Sequence, residues 1–253
     1  MSGRSARVVE QLWLPIGLVV LWFLVSAQST NPYFPPLSEI IGAFWRRVET
    51  GRFFTDFQAS LVNLAAGLGL GILIGAVAGI LIGRTVRLRV VLSPFLEFCR
   101  AVPQVALVPV VIGALGITAG PKIWNIALAT LWPVLLNTMD GVRAIDPAVR
   151  DMVRAFRIPE RVALARVVLP ASLPQMAAGI RISLSIGVVI VVVSEIYGAA
   201  IGLGYYINQS GSTFDVPSTW AGTLVIGVLG YLLNVVFVIV EKSTLRWYFE
   251  SAA

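Results

Sequence analysis

Residues 61–83 read LVNLAAGLGLGILIGAVAGILIG, a run without a single charge, with glycine at 67, 71, 75, 79 and 83. About 20 apolar residues in a helix cross the hydrocarbon core of a bilayer. At 3.6 residues per turn, glycine at every fourth position draws a slowly drifting stripe where another backbone can approach closely. The stripe predicts packing against another span of the same chain or against a second subunit.

Five further apolar runs surround it: Leu12–Ala27, Leu92–Leu115, Ile123–Met139, Gln175–Ala200 and Trp220–Val240. The chain of 253 residues is 57% hydrophobic and 13% charged, about half the charge of a soluble domain. Mean hydropathy is +0.86. An all-α integral membrane protein with six transmembrane helices is expected. The first run follows Arg4 and Arg7 and ends Val25-Ser26-Ala27, a pattern a signal peptide shares. Its length favours a retained span.

Lys and Arg set the orientation. With the N-terminus inside, thirteen basic residues fall in inner segments and four, Arg46, Arg47, Arg52 and Lys122, in outer ones. Both termini are therefore predicted to be cytoplasmic. The net charge of +6 lies in clusters between apolar runs, so no nucleic-acid-binding domain is expected. The absence of histidine removes the usual general base and metal ligand. Cys99, alone in an apolar run, reads as a buried inert thiol.

Between spans, Leu37, Ile40, Ile41, Phe44 and Val48 recur at helical spacing with Ser38 as N-cap, predicting a short amphipathic helix along the outer surface. Pro94, Pro103 and Pro109 interrupt the third run and Pro133 the fourth. The stretch from Gly141 to Pro174 is too long for a tight connection. Asp146-Pro147 starts a helix there, with an acidic N-cap and proline at its first position. Val149, Met152, Val153 and Phe156 line one face, and Arg150, Asp151, Arg154 and Arg157 cover the rest. Ile158-Pro159 is expected to break it, and a second short helix to run from Glu160 to Leu169-Pro170. Such a helix suits either an anionic leaflet or a groove on a partner protein.

Charged residues inside spans are functional candidates. Glu97 and Arg100 sit one turn apart and can pair. Arg181, near the inner start of the fifth run, reads as snorkelling. Lys122 and Glu195 both belong near the outer face, where pairing would support an outer gate. These five residues are the candidates for a translocation path or gate.

The loop resembles the cytoplasmic loop of ABC-importer permeases, whose signature reads Glu-Ala-Ala, three residues, Gly, then a stretch ending Leu-Pro. Anchored on Leu169-Pro170, its Glu position falls on Asp151, its alanines on Met152 and Val153, and its glycine on Arg157. Arginine there opposes the left-handed turn that glycine permits, and Pro159 is expected to impose the break instead. Further motifs are Phe34-Pro35-Pro36-Leu37-Ser38-Glu39, Arg100-Ala101-Val102-Pro103, Ala106-Leu107-Val108-Pro109, residues 132–138 (WPVLLNT), residues 141–146 (GVRAID), and Glu195 followed by Gly202-Leu203-Gly204-Tyr205. In this order they are similar to permeases of the aliphatic-sulfonate, taurine and nitrate group, from about Phe34 to the C-terminus.

The resemblance implies a type I ABC-importer permease fold in one membrane unit, 1–253. It would divide into an N-terminal span (1–30), an outer amphipathic segment (31–57), spans two to four (58–142), a cytoplasmic coupling loop (143–174) and spans five and six (175–253). It further implies two ATPase subunits, a second permease copy, an extracytoplasmic solute-binding protein, and residence in a bacterial cytoplasmic membrane. Val149, Asp151, Met152, Val153, Phe156 and Arg157 would dock on the ATPase. No Gly-x-x-x-x-Gly-Lys-Ser/Thr stretch is present, so ATP and Mg would sit on that partner and no cofactor on this chain. The rival readings are a secondary transporter or channel, which would show inverted repeats with paired broken helices, and a membrane enzyme, which would need clustered acid–base or metal-ligand groups.

Overall fold

The structure is a computed structural model describing residues 2–251, with side chains described from Trp13 to Glu250. The expectations for Arg4 and Arg7 lie outside the described side chains. Among the described residues every regular element is helical. The helices are α1 (Ser2–Ser26), α2 (Leu37–Glu49), α3 (Arg52–Arg84), α4 (Val86–Ala101), α5 (Gln104–Leu115) and α6 (Ala119–Arg143). They continue as α7 (Pro147–Ala155), α8 (Glu160–Ala163), a π turn (Leu164–Val168), α9 (Leu169–Gly198), α10 (Leu203–Ser212), α11 (Val216–Thr244) and α12 (Arg246–Ser251).

The glycine stripe makes the centre. Gly67, Gly71, Gly75, Gly79 and Gly83 are all buried against α6. A Cβ on Gly75 would lie 2.6 Å from the Leu131 carbonyl oxygen, and one on Gly79 2.6 Å from that of Leu135. The stripe is thus a seam within the chain. Helix α9 closes on the other side of α6 by the same device: a Cβ on Gly179 would lie 2.6 Å from the Pro133 carbonyl. The Ser183 hydroxyl donates to the Thr130 carbonyl across this contact at 2.6 Å. Leu64, Val108, Ile112, Ile126, Ile190 and Val191 fill the space among α3, α5, α6 and α9. Small residues and one buried hydroxyl supply what the hydrophobic effect cannot supply between helices in lipid.

The run 92–115 is not one straight span. Helices α4 and α5 meet at 84° across Val102-Pro103. Val102, held before proline, is extended (φ −68°, ψ 126°). The Gln104 side chain donates to the carbonyls of Cys99 and Val102, both at 3.2 Å, and so satisfies the opened end of α4. By length and apolarity, α3, the run Glu160–Gly198 and α11 are long enough to cross a membrane, and the bent α4–α5 pair makes a fourth. The apolar part of α1 with described side chains, Trp13–Ser26, is shorter, and α6 carries Lys122, Asp140 and Arg143 at its ends.

Other differences from the sequence reading are local. Ser38 does not cap α2. Pro36 holds that position without a side-chain bond, and the Leu37 N–H is taken by the Ser26 hydroxyl at 3.1 Å. The apolar face of α2 buries Leu37, Ile40 and Ala43 against Ala221 of α11, so it is covered by protein. No second short helix ends at Leu169-Pro170. The chain is helical without a break from Glu160 to Gly198. In the π turn the Leu169 N–H donates five residues back, to Leu164. The widened turn gives the Pro170 ring room that a tight α turn would deny it.

Candidate functional site

Two groups of side chains stand out, at opposite ends of the α3–α6–α9 centre. The first surrounds Glu195, the last charged residue of α9. Its carboxylate is fully buried. Oε2 accepts from the Ser60 hydroxyl at 2.8 Å and from the Gly204 N–H at 2.9 Å. The Leu203 N–H donates to Ser60 Oγ at 2.9 Å, and the Gly202 N–H to Asp56 Oδ1 at 3.0 Å. The first turn of α10 thus gives three backbone N–H groups, which an isolated helix would leave orphaned, to side chains of α3 and α9. Arg47 of α2 binds Asp56 Oδ2 through Nε at 3.1 Å and also through Nη2. Its guanidinium stacks 4.4 Å over the Tyr206 ring. Four helices are held by one polar network.

Gly202 and Gly204 are required by this close approach. A Cβ on Gly202, whose φ is +130°, would lie 2.5 Å from the Glu195 carboxyl carbon. The expected Lys122–Glu195 ion pair is absent. Lys122 is buried in the first turns of α6, and the carboxylate is instead taken by Ser60 and the Gly204 amide. Asp56 and Ser60 were not foreseen because the second span was read from Leu61. Their signal was present: Asp56, Ser60 and Asn63 repeat at helical spacing on one face of α3 and are all buried.

The second group is the arm α7 and its corner. Asp146 caps α7 as its sequence implies, accepting from the Ala148 N–H at 2.8 Å, and Pro147 follows at the first position. Arg150 of α7 donates to the carbonyls of Val142 and Arg143 at 2.9 and 2.7 Å, tying the arm to the end of α6. Asp151 pairs with Arg154 on the surface at 3.5 Å. The apolar residues divide: Val149 and Val153 are half-buried beneath the arm, whereas Met152 and Phe156 are 46% and 75% exposed. The turn at the arm's end is made by Arg157 itself, at φ +49°, before Pro159 is reached. Arginine therefore takes the left-handed conformation it was expected to refuse, and the Ile158 N–H closes the turn on the Val153 carbonyl at 3.1 Å.

The remaining candidates are scattered. Glu97 and Arg100 pair at 2.6 Å, both about 60% exposed, on the last turn of α4. Arg100 lines a cavity of about 340 Å³ beside the bend, with Gln104, Trp132, Asn137 and Asp140. Arg181 does not merely reach for water. It pairs with the buried Glu241 of α11 and joins two long helices.

Comparison with known proteins agrees with this architecture. The family described as binding-protein-dependent transport system inner membrane component matches residues 71–246. An aliphatic sulfonates transport permease protein of Bacillus subtilis (strain 168) is 30% identical over 241 residues, 94% of this chain and 87% of that protein. A bicarbonate transport system permease protein of Synechococcus elongatus is 28% identical, over 87% of this chain and 83% of its own length. An amino acid ABC transporter crystal structure superposes with a TM-score of 0.61 at 16% identity, over 80% of this chain and 97% of that one, which speaks for the fold. With a match over most of its length and this helical arrangement, the chain belongs to the binding-protein-dependent transport system inner membrane components, the permease subunits of ABC importers, and is a transport subunit and not an enzyme.

Proposed function

We propose that the chain forms the translocation path of an ATP-driven importer for a small organic or inorganic anion such as a sulfonate, delivered by an extracytoplasmic binding protein. It works as a pair of permease copies, each one membrane unit crossing the bacterial cytoplasmic membrane six times with both termini inside. Two ATPase subunits, which hold ATP and Mg, grip the arm α7. The anionic class is supported by the aliphatic-sulfonate and bicarbonate permeases among the relatives, whose solutes share a negative charge. Arg100, beside the bend of the third span and paired with Glu97, is the candidate cation for such a solute, which would have to compete with that carboxylate.

The observation that carries the reading is the exposure of Phe156 and Met152 among the charged side chains of the arm. Large apolar side chains held out among arginines fit a partner's groove. Asp151 and Arg157 flank that face. The arm is tied to α6 through Arg150 and runs through the Arg157 corner into the helical run of α9. A partner that moves α7 therefore moves two central helices together, as in hinge-type switches.

The test is Phe156→Asp in the assembled importer. The ATPase should be lost on purification from native membranes while the permease stays inserted. An intact complex with normal uptake would refute the docking role. Uptake driven by an ion gradient, with no ATPase recovered, would favour a secondary transporter.

A further inference from the structure

Beneath α7 lies a cleft of about 480 Å³, a volume typical of ligand sites. Arg84, Arg150, Arg154 and Arg157 line it against one carboxylate, Glu160. We propose that this cleft seats the headgroup phosphate of an anionic phospholipid, whose acyl chain lies along α4. The proposal rests on the reading above in one respect, that this end of the molecule meets the inner leaflet.

The guanidiniums are poorly neutralised. Arg84 meets Glu160 only at 3.5 Å, with the Glu160 side chain 90% exposed, and the Arg154–Asp151 pair is equally long and exposed. Exposed pairs of this kind add little stability and are screened by salt. Among the described residues the Arg157 side chain has neither an ion pair nor a hydrogen bond. Arg150 is committed to the terminal carbonyls of α6, which masks the negative end of that helix from an incoming anion.

The walls select a lipid over a free anion. Val86, Val142, Ile145, Val153 and Val167 form an apolar floor. Val86 is 60% exposed and heads a strip with Val90 and Val91, 66% and 74% exposed, on the outside of α4. A diester headgroup in the cleft would leave one acyl chain along that strip, with Arg87 on the same turn at the interface. A zwitterionic headgroup brings its own cation and would leave the arginines uncompensated, so the lipid is of the phosphatidylglycerol or cardiolipin class. Once bound, it would bridge the α3–α4 turn and the arm without touching Met152 or Phe156.

The intact importer is purified from bilayer discs of phosphatidylcholine containing phosphatidylglycerol, and retained lipid is read by native mass measurement after a delipidating wash. Wild type and Arg246→Gln should keep phosphatidylglycerol, while Arg84→Gln/Arg154→Gln should keep at least fivefold less with its ATPase still attached. Equal retention in the double variant overturns the proposal and leaves the docking of α7 untouched. Displacement of the lipid by millimolar inorganic phosphate also overturns it, in favour of a free-anion site. Labelling of Ala148→Cys from the outer side would instead sink the orientation, a failure distinct from loss of lipid.

Discussion

The two ends of this permease are built on opposite principles. Around Glu195, one carboxylate oxygen and three backbone amides are tied into a buried network and glycines let four helices touch. Around α7, the large apolar groups point outward and the corner residue sits in a conformation arginine adopts at a cost. The first end holds itself together. The second is completed only by something that covers it. A buried, hydrogen-bonded network marks the part that must keep its shape, and exposed apolar groups on a strained arm mark the part that meets a partner.

Substitutions at four positions test that contrast, in descending order of effect on the folded permease. Gly75→Leu forces a side chain into the seam beside the Leu131 carbonyl and should cost about 3 kcal/mol, seen as lost folded yield in detergent. A normal yield would mean that the seam can open. Glu195→Ala strands the Gly204 N–H and the Ser60 hydroxyl and should cost about 2 kcal/mol, read as a lowered thermal midpoint. Glu195→Gln, which keeps one acceptor, should cost less. At the other end, Arg157→Gly should stabilise the chain by about 1 kcal/mol, because glycine tolerates the left-handed corner. A lowered midpoint would show that the Arg157 side chain contributes more than its backbone costs. Phe156→Asp should change stability by less than about 0.5 kcal/mol and barely move the midpoint, since the ring is exposed. A large drop would place Phe156 in the fold and erase the distinction between the ends.

Sequence reasoning reached the central seam because five glycines at fixed spacing have few other uses in an apolar helix. It reached the start of α7 because Asp146-Pro147 states its own capping chemistry. It missed the partners of Glu195 because three of the groups that bind the network are backbone amides of residues 202, 203 and 204, and a backbone amide leaves no mark in side-chain patterns. The Arg181–Glu241 pair was missed because 60 residues separate its members and only the packing of α9 on α11 brings them together. The Arg157 corner failed for a different reason. Local propensity opposes it, and the closing bond from Ile158 to Val153 outweighs that propensity.

The helical run from Glu160 to Gly198 has 39 residues, so at 1.5 Å per residue it spans roughly 58 Å. Its stiffness is uneven. The π turn, Pro170 and Pro174 all fall within its first fifteen residues, where the backbone ladder is interrupted, and the remainder up to Glu195 is regular. The irregular backbone lies next to the arm and the regular helix beyond it. A displacement of α7 therefore enters this run at its most irregular stretch and is carried by the regular part towards the network that holds α10.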